Sequence, residues 1–279
     1  MSKELLTTKE FVEKYELMAK KALGQNFLLD ANITDKIVRL SICNQGLEDL
    51  SKEVVVEVGP GPGGLTQAVL RKNPKKFSVI EMDDRCINIL GEIKECYNQL
   101  EIISGDALQF NWDEKKSVDG KFHVVSNLPY NISVVLLAGW LNKIENIKSL
   151  TLMFQKEVAD RILADTDCKD YGRISVISQL QCEVVKLFDL PPTCFVPAPK
   201  IWSSVLLFKP RENALDEATL NKVSRLTELA FGQRRKMIRQ SLKSINGILD
   251  ILEELGIEPT LRAENLTPIQ YLDIAKKIV

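Results

Sequence analysis

At residues 124–131 the chain reads VVSNLPYN. An apolar, strand-like run ends at Val125, and Ser126-Asn127-Leu128-Pro129-Tyr130 follows at once. A turn asks only for polar residues, Gly or Pro. An amide, a proline and a large ring in succession can also do chemistry. The Asn127 side-chain oxygen and a backbone carbonyl, at Leu128 or Pro129, can accept from the two hydrogens of an exocyclic amine such as that of adenine. The lone pair of that amine is delocalised into its ring. Two acceptors aimed at its hydrogens draw the nitrogen toward a pyramidal, nucleophilic shape. Pro129 would fix the turn so that the oxygens converge, and Tyr130 would offer a face on which the base can stack. A base inside a helix cannot reach such a pocket and must be unpaired or flipped out. Phe195, in CFVPAPK with prolines at 197 and 199, is the candidate for the base's second face.

A second constellation lies upstream. VVVEV (54–58) runs into GPGPGG, where Gly59, Gly61 and Gly64 match GxGxxG and Leu65 opens a helical pattern. Glycines let the chain turn sharply and let a ligand lie against bare peptide. Glu81 ends the next apolar run about 20 residues on, where an acid can accept from ribose hydroxyls. Strand, glycine turn, helix and acid together point to a nucleoside-containing cofactor. A dinucleotide would set its pyrophosphate on the helix N-terminus. Glu57, two residues before the first glycine, would repel that group but could orient an ammonium. Asp106, in SGDAL, stands where a carboxylate could accept from an adenine amino group, or could cap a turn. These features favour S-adenosylmethionine (SAM) over a nicotinamide cofactor. The sulfonium of SAM is a strong methyl donor, so catalysis would be mainly positioning, with nitrogen and methyl carbon about 3–3.5 Å apart in line.

The elements that must hold these residues follow from periodicity. Apolar runs at 54–58, 77–81, 100–104, 122–126 and 149–154 read as buried strands. Helical stretches at 64–72, 84–97, 133–143 and 156–164 alternate with them, which predicts a doubly wound α/β domain. Phe11, Tyr15, Met18 and Ala22 predict one face of a helix over 8–22, and Asp30 caps a second through Ile33, Ile37 and Leu40. CEVVKLFDL (182–190) and SSVLLFK (203–209) predict an antiparallel pair at a sheet edge. Beyond Arg211 the pattern is helical. Leu220, Val223, Leu226 and Ala230 share a face, as do Ile238, Leu242 and Ile245, then Ile248, Leu252 and Leu255. The expected organisation is a domain over 1–210, with 1–22 as an N-terminal extension, and a small all-helical domain over 211–279. FGQRRKMIRQSLK (231–243) is expected as a helix with Arg235, Arg239 and Lys243 on one face and Arg234 and Lys236 beside it, a phosphate-binding surface.

Composition bounds the rest. With 37 Lys+Arg against 38 Asp+Glu, net charge gives no general push toward nucleic acid, so any such contact must be local. No apolar run approaches the roughly 18–20 residues of a membrane span, and the acid-bearing N-terminus is a poor signal or transit peptide. A cytoplasmic location is expected. The six cysteines have no metal-ligand spacing and read as reduced, mostly packing residues. His123, the single histidine, sits in an apolar run and reads as structural. No metal site is expected.

LGQNFLLD, EVGPGPGGLT, VIEMD, GDAL, SNLPYNIS, YGRISV, FVPAPKIWSSV and FGQRRKMIRQSL occur in the order and spacing of one family. Over about residues 20–275 the chain resembles the small-subunit ribosomal RNA adenine dimethyltransferases, the bacterial kasugamycin-sensitivity enzymes. The resemblance implies a Rossmann-like SAM-dependent methyltransferase sheet. It implies N6,N6-dimethylation of two adjacent adenosines in a hairpin loop near the 3′ end of 16S rRNA, within an assembling 30S subunit. It further implies that Asn26 and Leu28 contact SAM together with Gly59 and Gly61, that Glu81 holds the ribose, and that Met82 lies against the adenine. Asp106, with Ala107, would hold the adenine amino group. Asn127, Leu128, Pro129 and Tyr130 would form the catalytic motif, with Phe195 closing on the base. Arg234, Arg235, Lys236 and Arg239 would meet RNA, the enzyme acting as a monomer. Two departures stand out. Such enzymes are usually basic, whereas this chain has a pI of about 6.1, which suits a substrate presented in a preformed particle. The segment before Lys20 is longer than usual and carries no assigned role. A large-subunit RNA methyltransferase, a non-catalytic assembly or transcription factor and a nicotinamide oxidoreductase are the competing readings. The long C-terminal region argues against the first and the intact NLPY against the second. Glu57 and the missing hydride-transfer residues argue against the third.

Overall fold

The structure, a computed structural model, describes residues 5–20 and 24–278. The strands are β1 (Phe27–Leu28), β2 (Val54–Val58), β3 (Lys76–Glu81), β4 (Leu100–Ser104), β5 (Phe122–Ser126), β6 (Ile147–Gln155), β7 (Cys182–Leu190), β8 (Phe195–Val196) and β9 (Ser203–Pro210). The helices are α1 (Thr8–Lys14), α2 (Ala31–Asn44), α3 (Gly64–Leu70), α4 (Asp84–Cys96), α5 (Trp112–Asp119), α6 (Ser133–Asn142), α7 (Lys156–Leu163), α8 (Arg173–Gln181), α9 (Glu217–Gly232), α10 (Ile238–Ser241), α11 (Ile248–Glu254) and α12 (Pro268–Lys277).

Seven strands form one sheet in the order β4-β3-β2-β5-β6-β9-β7. Strands β2 to β6 pair in parallel. β2 and β5 are buried along their whole length, which is why they read as unbroken Val-rich runs. From β2 the chain moves outward to β3 and β4, then returns to β5 on the other side of β2. That reversal opens a crevice at the carboxyl ends of β2 and β5, where open α/β sheets bind ligands. The Ser126 hydroxyl accepts from the Val58 N–H at 2.8 Å and locks these two ends together. β9 runs antiparallel to β6 with Ser203 level with Gln155, so β9 starts at the same carboxyl edge. β7 and β9 are neighbours, as expected.

A short pairing was not foreseen. β1 and β8 join antiparallel, Phe27 to Val196 and Leu28 to Phe195, and so tie the QNFL segment to the FVPAPK segment. Both pieces are two residues long, below the length at which a periodic signal exists. α5 and α8 were likewise missed, whereas α2 begins as expected, its Asp30 carboxylate accepting from Asn32 N–H at 2.8 Å.

The expected helix over 8–22 is shorter. α1 starts at a Thr7/Glu10 capping box and stops at Lys14, and Glu16 takes a left-handed φ of 46°. This break rotates the residues beyond it. Leu17 is buried in place of Met18, which is 79% exposed. Ala22 lies outside the described residues. The segment docks on the α/β unit: Phe11 is in its core, Lys14 pairs with Glu92 of α4 at 2.6 Å, and Tyr15 donates to the same carboxylate.

His123 is structural. Its ring nitrogens lie 3.0 Å from Glu53 Oε2 and 2.8 Å from Ser149 Oγ, and burial lowers its pKa below the ordinary value. Cys86 and Cys182 are packed, while Cys43 and Cys96 are exposed.

The chain divides into two compact units. The first comprises Met1–Trp140, Glu145–Lys156 and Val185–Phe208; the second comprises Leu141–Ile144, Glu157–Val184 and Lys209–Val279. The second unit thus takes in α8 and most of α7, not only the chain beyond 210. Its core gathers Tyr171 and Val176 with Val223, Leu226, Ala230, Leu252 and Tyr271. The basic stretch departs from expectation. α9 ends at Gly232, a turn follows, and only Ile238–Ser241 is helical. Ile238 and Leu242 enter the core, and Ile238 N–H donates to Leu261 O at 2.6 Å, so the cations do not form one helical stripe.

Because Phe11 is fully packed, Phe11→Ala should destabilise the α/β unit by about 3–5 kcal/mol. A urea titration should show a lowered midpoint; an unchanged midpoint would mean that the N-terminal segment adds nothing to that core.

Candidate active site

The crevice is a cleft with about 880 Å³ of free volume, its open mouth included. Asn26, Leu28, Gly59, Gly61, Glu81, Met82, Asp106, Ala107, Asn127, Leu128, Pro129 and Tyr130 all line it. Five segments from five places in the chain therefore meet at one edge of the sheet. Glu57 also lines it, with Gln25, Phe27 and Ile132, which the sequence had not singled out.

The glycine turn has little freedom. Gly59 and Gly61 have φ of 65° and 55°. A Cβ on Gly61 would lie 3.2 Å from the Phe27 ring, and one on Gly59 would lie 3.3 Å from Pro129 Cδ. Phe27 and Pro129 thus press on the turn from two sides, and bare backbone faces the cleft.

Glu81 holds this turn to the end of β3. One carboxylate oxygen accepts from Gly61 N–H at 3.1 Å; the other accepts from Met82 and Asp83 N–H, both at 2.9 Å. Burial raises its pKa, and the three amides oppose that shift. The oxygen facing Gly61 keeps acceptor capacity for a ligand hydroxyl. The neighbouring acid behaves oppositely. Asp83 lies well below the usual carboxylate range, chiefly through its paired hydrogen bonds to Arg85, and Gln25 Nε2 donates to it at 3.0 Å. Asp83 therefore anchors the QNFL loop, a duty that no local signal announced. Asp106 accepts from Leu108 N–H at 2.9 Å while lining the cleft, so it caps its turn and faces the ligand space together.

Glu57 is a buried acid on the cleft wall. Burial pushes its pKa up to about 8, against the Thr66 hydroxyl that donates to it at 2.7 Å, with Glu81 repelling in addition. It is mostly protonated near neutrality in the absence of a cation.

In the NLPY motif, Asn127 Nδ2 donates to Asn26 O at 3.3 Å, which leaves its Oδ1 as an acceptor. The Pro129 carbonyl accepts from Ile132 N–H at 3.1 Å and closes the turn, whereas the Leu128 carbonyl accepts no backbone hydrogen bond among the described residues. Tyr130 is half-buried; its hydroxyl meets Ser203 Oγ at 2.6 Å and burial raises its pKa. Phe195 is not brought into this group. It is 3% exposed in the hydrophobic core and does not line the cleft, because its backbone pairs with Leu28 in the β1–β8 ribbon.

Elsewhere, in the helical unit, Arg234 is turned inward: Nε donates to Glu264 at 2.6 Å and Nη2 to Cys168 O at 3.2 Å. Arg235, Lys236 and Arg239 are exposed. No cluster of metal-binding side chains occurs among the described residues, and none of their helices is long and apolar enough to cross a membrane.

The fold and cleft define a methyltransferase of the Rossmann-like α/β class with a helical C-terminal region. The model of the family described as ribosomal RNA adenine dimethylase matches residues 17–279. The chain belongs to that family and is a methyltransferase. It is 47% identical over 279 residues to a ribosomal RNA small subunit methyltransferase A of Azorhizobium caulinodans, covering 98% of this chain and 92% of that one. It is 44% identical to that of Mesorhizobium japonicum, covering 97% of each. Among solved structures, a dimethyladenosine transferase from Plasmodium falciparum is similar with a TM-score of 0.75 at 27% identity, over 88% of this chain and 94% of that one. The 23S rRNA methyltransferase ErmE shares the fold, with a TM-score of 0.67 at 23% identity over 91% of this chain and 99% of that one.

The Glu57 geometry predicts a pH effect. Its folded pKa of about 8 lies above its unfolded value of 4.5. Its contribution to stability is fully present below the unfolded value and is lost as pH rises through about 8. Thermal melts of Glu57→Gln should therefore overtake wild type between pH 5 and 9, by about 2–4 kcal/mol at the alkaline end. Parallel curves across that range would contradict the assignment.

Proposed function

We propose that this chain transfers methyl groups from SAM to the N6 amine of two adjacent adenosines in a hairpin loop near the 3′ end of 16S rRNA. The substrate would be an assembling 30S subunit, the enzyme a cytoplasmic monomer, and the modification a step in subunit biogenesis. The observation that carries this reading is the pair of acceptors on adjacent residues that line the cleft. The Asn127 amide is oriented by its hydrogen bond to Asn26 O, and the neighbouring Leu128 carbonyl is left open. Two acceptors side by side suit an amine with two hydrogens, and Pro129, whose own carbonyl closes the turn, holds them in place.

SAM fits the residues present. The bare Gly59–Gly61 backbone leaves room for a nucleoside, Glu81 has an acceptor for a ribose hydroxyl, and Asp106 and Met82 flank the place of an adenine. Glu57 would lose its proton to stand opposite the ammonium of the methionine end. When bound, SAM supplies an electrophilic methyl carbon, so the protein need not ionise the amine before attack. Asn127 and Leu128 orient the nitrogen, and Tyr130, held by Ser203, supports the base from one side. Phe195 would reach the other side only if the β1–β8 ribbon shifted. Arg235, Lys236 and Arg239 are the exposed cations proposed to meet RNA phosphates, with Arg234 holding their turn in place.

Unmethylated small subunits incubated with methyl-labelled SAM should acquire dimethyladenosine at adjacent positions, and Asn127→Ala should remove transfer while leaving the melting profile intact. Label in 23S rRNA instead, or transfer that survives Asn127→Ala, would overturn the reading. Glu81→Ala should weaken SAM binding by roughly 1–3 kcal/mol in calorimetry, about the worth of one or two hydrogen bonds. Unaltered SAM affinity would remove Glu81 from the ribose.

A further inference from the structure

The segment between β8 and β9, residues 197–202, is tied at both ends to the walls of the cleft. At one end Val196 pairs with Phe27, a lining residue. At the other, Ser203 Oγ meets the Tyr130 hydroxyl at 2.6 Å, and the Trp202 carbonyl accepts from Lys156 N–H at 2.8 Å. Pro197 and Pro199 restrict the backbone in between. The segment is thus a short, stiff rim at the carboxyl edge of the sheet. Its apolar side chains Ile201 and Trp202 face solvent, 37% and 50% exposed, as does Val196 at the end of β8, 54% exposed. The other two tryptophans are in ring contacts, Trp112 with Phe110, Phe122 and Trp140. Trp202 has no ring partner among the described residues.

An indole held half-exposed on a fixed rim, one residue from the anchor of Tyr130, suits a flat apolar ligand. Drawing an adenine into the cleft breaks its stack with the next base in the strand, and that base then presents a bare face. We propose that Trp202 is the platform on which the nucleobase adjacent to the target adenine stacks. This inference rests on the proposed RNA substrate and adds a positioning residue that acts on the neighbour rather than on the reacting base. Stacking on an aromatic ring tolerates any base, so Trp202 would hold either of two adjacent adenosines while the other occupies the cleft.

The experiment compares wild type, Trp202→Ala and Trp202→Phe on unmethylated small subunits with labelled SAM. Trp202→Ala should raise KM for subunits about tenfold, with SAM affinity and the melting profile unchanged. Trp202→Phe, which keeps a ring, should recover most of that loss. In parallel, an RNA hairpin with two adjacent adenosines in its loop should quench tryptophan fluorescence of wild type but not of Trp202→Phe. An unaltered KM in Trp202→Ala, or quenching that persists in Trp202→Phe, overturns the proposal while transfer by wild type leaves the RNA reading standing. A wild type that methylates no small-subunit adenosine overturns the reading, and the platform falls with it.

Discussion

The Glu81 carboxylate, buried at the end of β3, accepts three backbone N–H groups and in doing so joins the glycine turn to the strand beside it. Much of the cleft depends on this junction. Gly61 is held on one side by that carboxylate and packs on the other against Phe27. Phe27 in turn belongs to the ribbon that pairs β1 with β8. The junction is electrostatically exposed to its neighbours: Asp83 and Glu57 both lie close enough to disfavour its charge or to be disfavoured by it. Asp83 is relieved by Arg85 and Gln25. Glu57 has only a hydroxyl and takes up a proton instead. The two acids that neighbour Glu81 are thus pushed in opposite directions, Asp83 toward its charged form and Glu57 toward its protonated one.

The acceptors at Asn127 and Leu128 show the same economy of motion. The amide is turned by a carbonyl from the QNFL loop, the proline packs on Gly59, and Tyr130 is fixed from β9. Each group of the motif is positioned by a different segment of the chain. Such an arrangement supports chemistry that is mainly orientation, because little reorganisation is left for the moment of reaction.

The parts of this site that could be read in advance are those whose geometry is set by neighbours in the chain. GPGPGG bends because glycines admit positive φ, SNLPYN turns because of Pro129, and Glu81 falls at a strand end because the apolar run stops there. The strands β2 and β5 were legible because both faces are buried, which demands an unbroken apolar run. Phe195 read as the ring for the second face of the base, and its burial came with a two-residue ribbon that has no periodic signature. Arg234 read as one of a cluster meeting RNA, and it is held by Glu264, 30 residues away. The stretch over 8–22 has helical spacing, but α1 stops at Lys14 and the left-handed Glu16 breaks the periodicity beyond it.

By itself, then, the sequence determined the alternation of strand and helix, the residues at the carboxyl ends of β2, β3, β4 and β5, and through its motifs the family. These are consequences of short-range sterics and of the burial period, which act between residues a few positions apart. Tertiary structure alone decided what orients the Asn127 amide, which arginine points inward, where the N-terminal segment docks, and that Trp202 is bare at the rim while Phe195 is covered. Each of those outcomes turns on hydrogen bonds and packing between segments tens to more than a hundred residues apart. Whether a polar group is free or a ring is covered depends on such distant partners, and no local pattern encodes them.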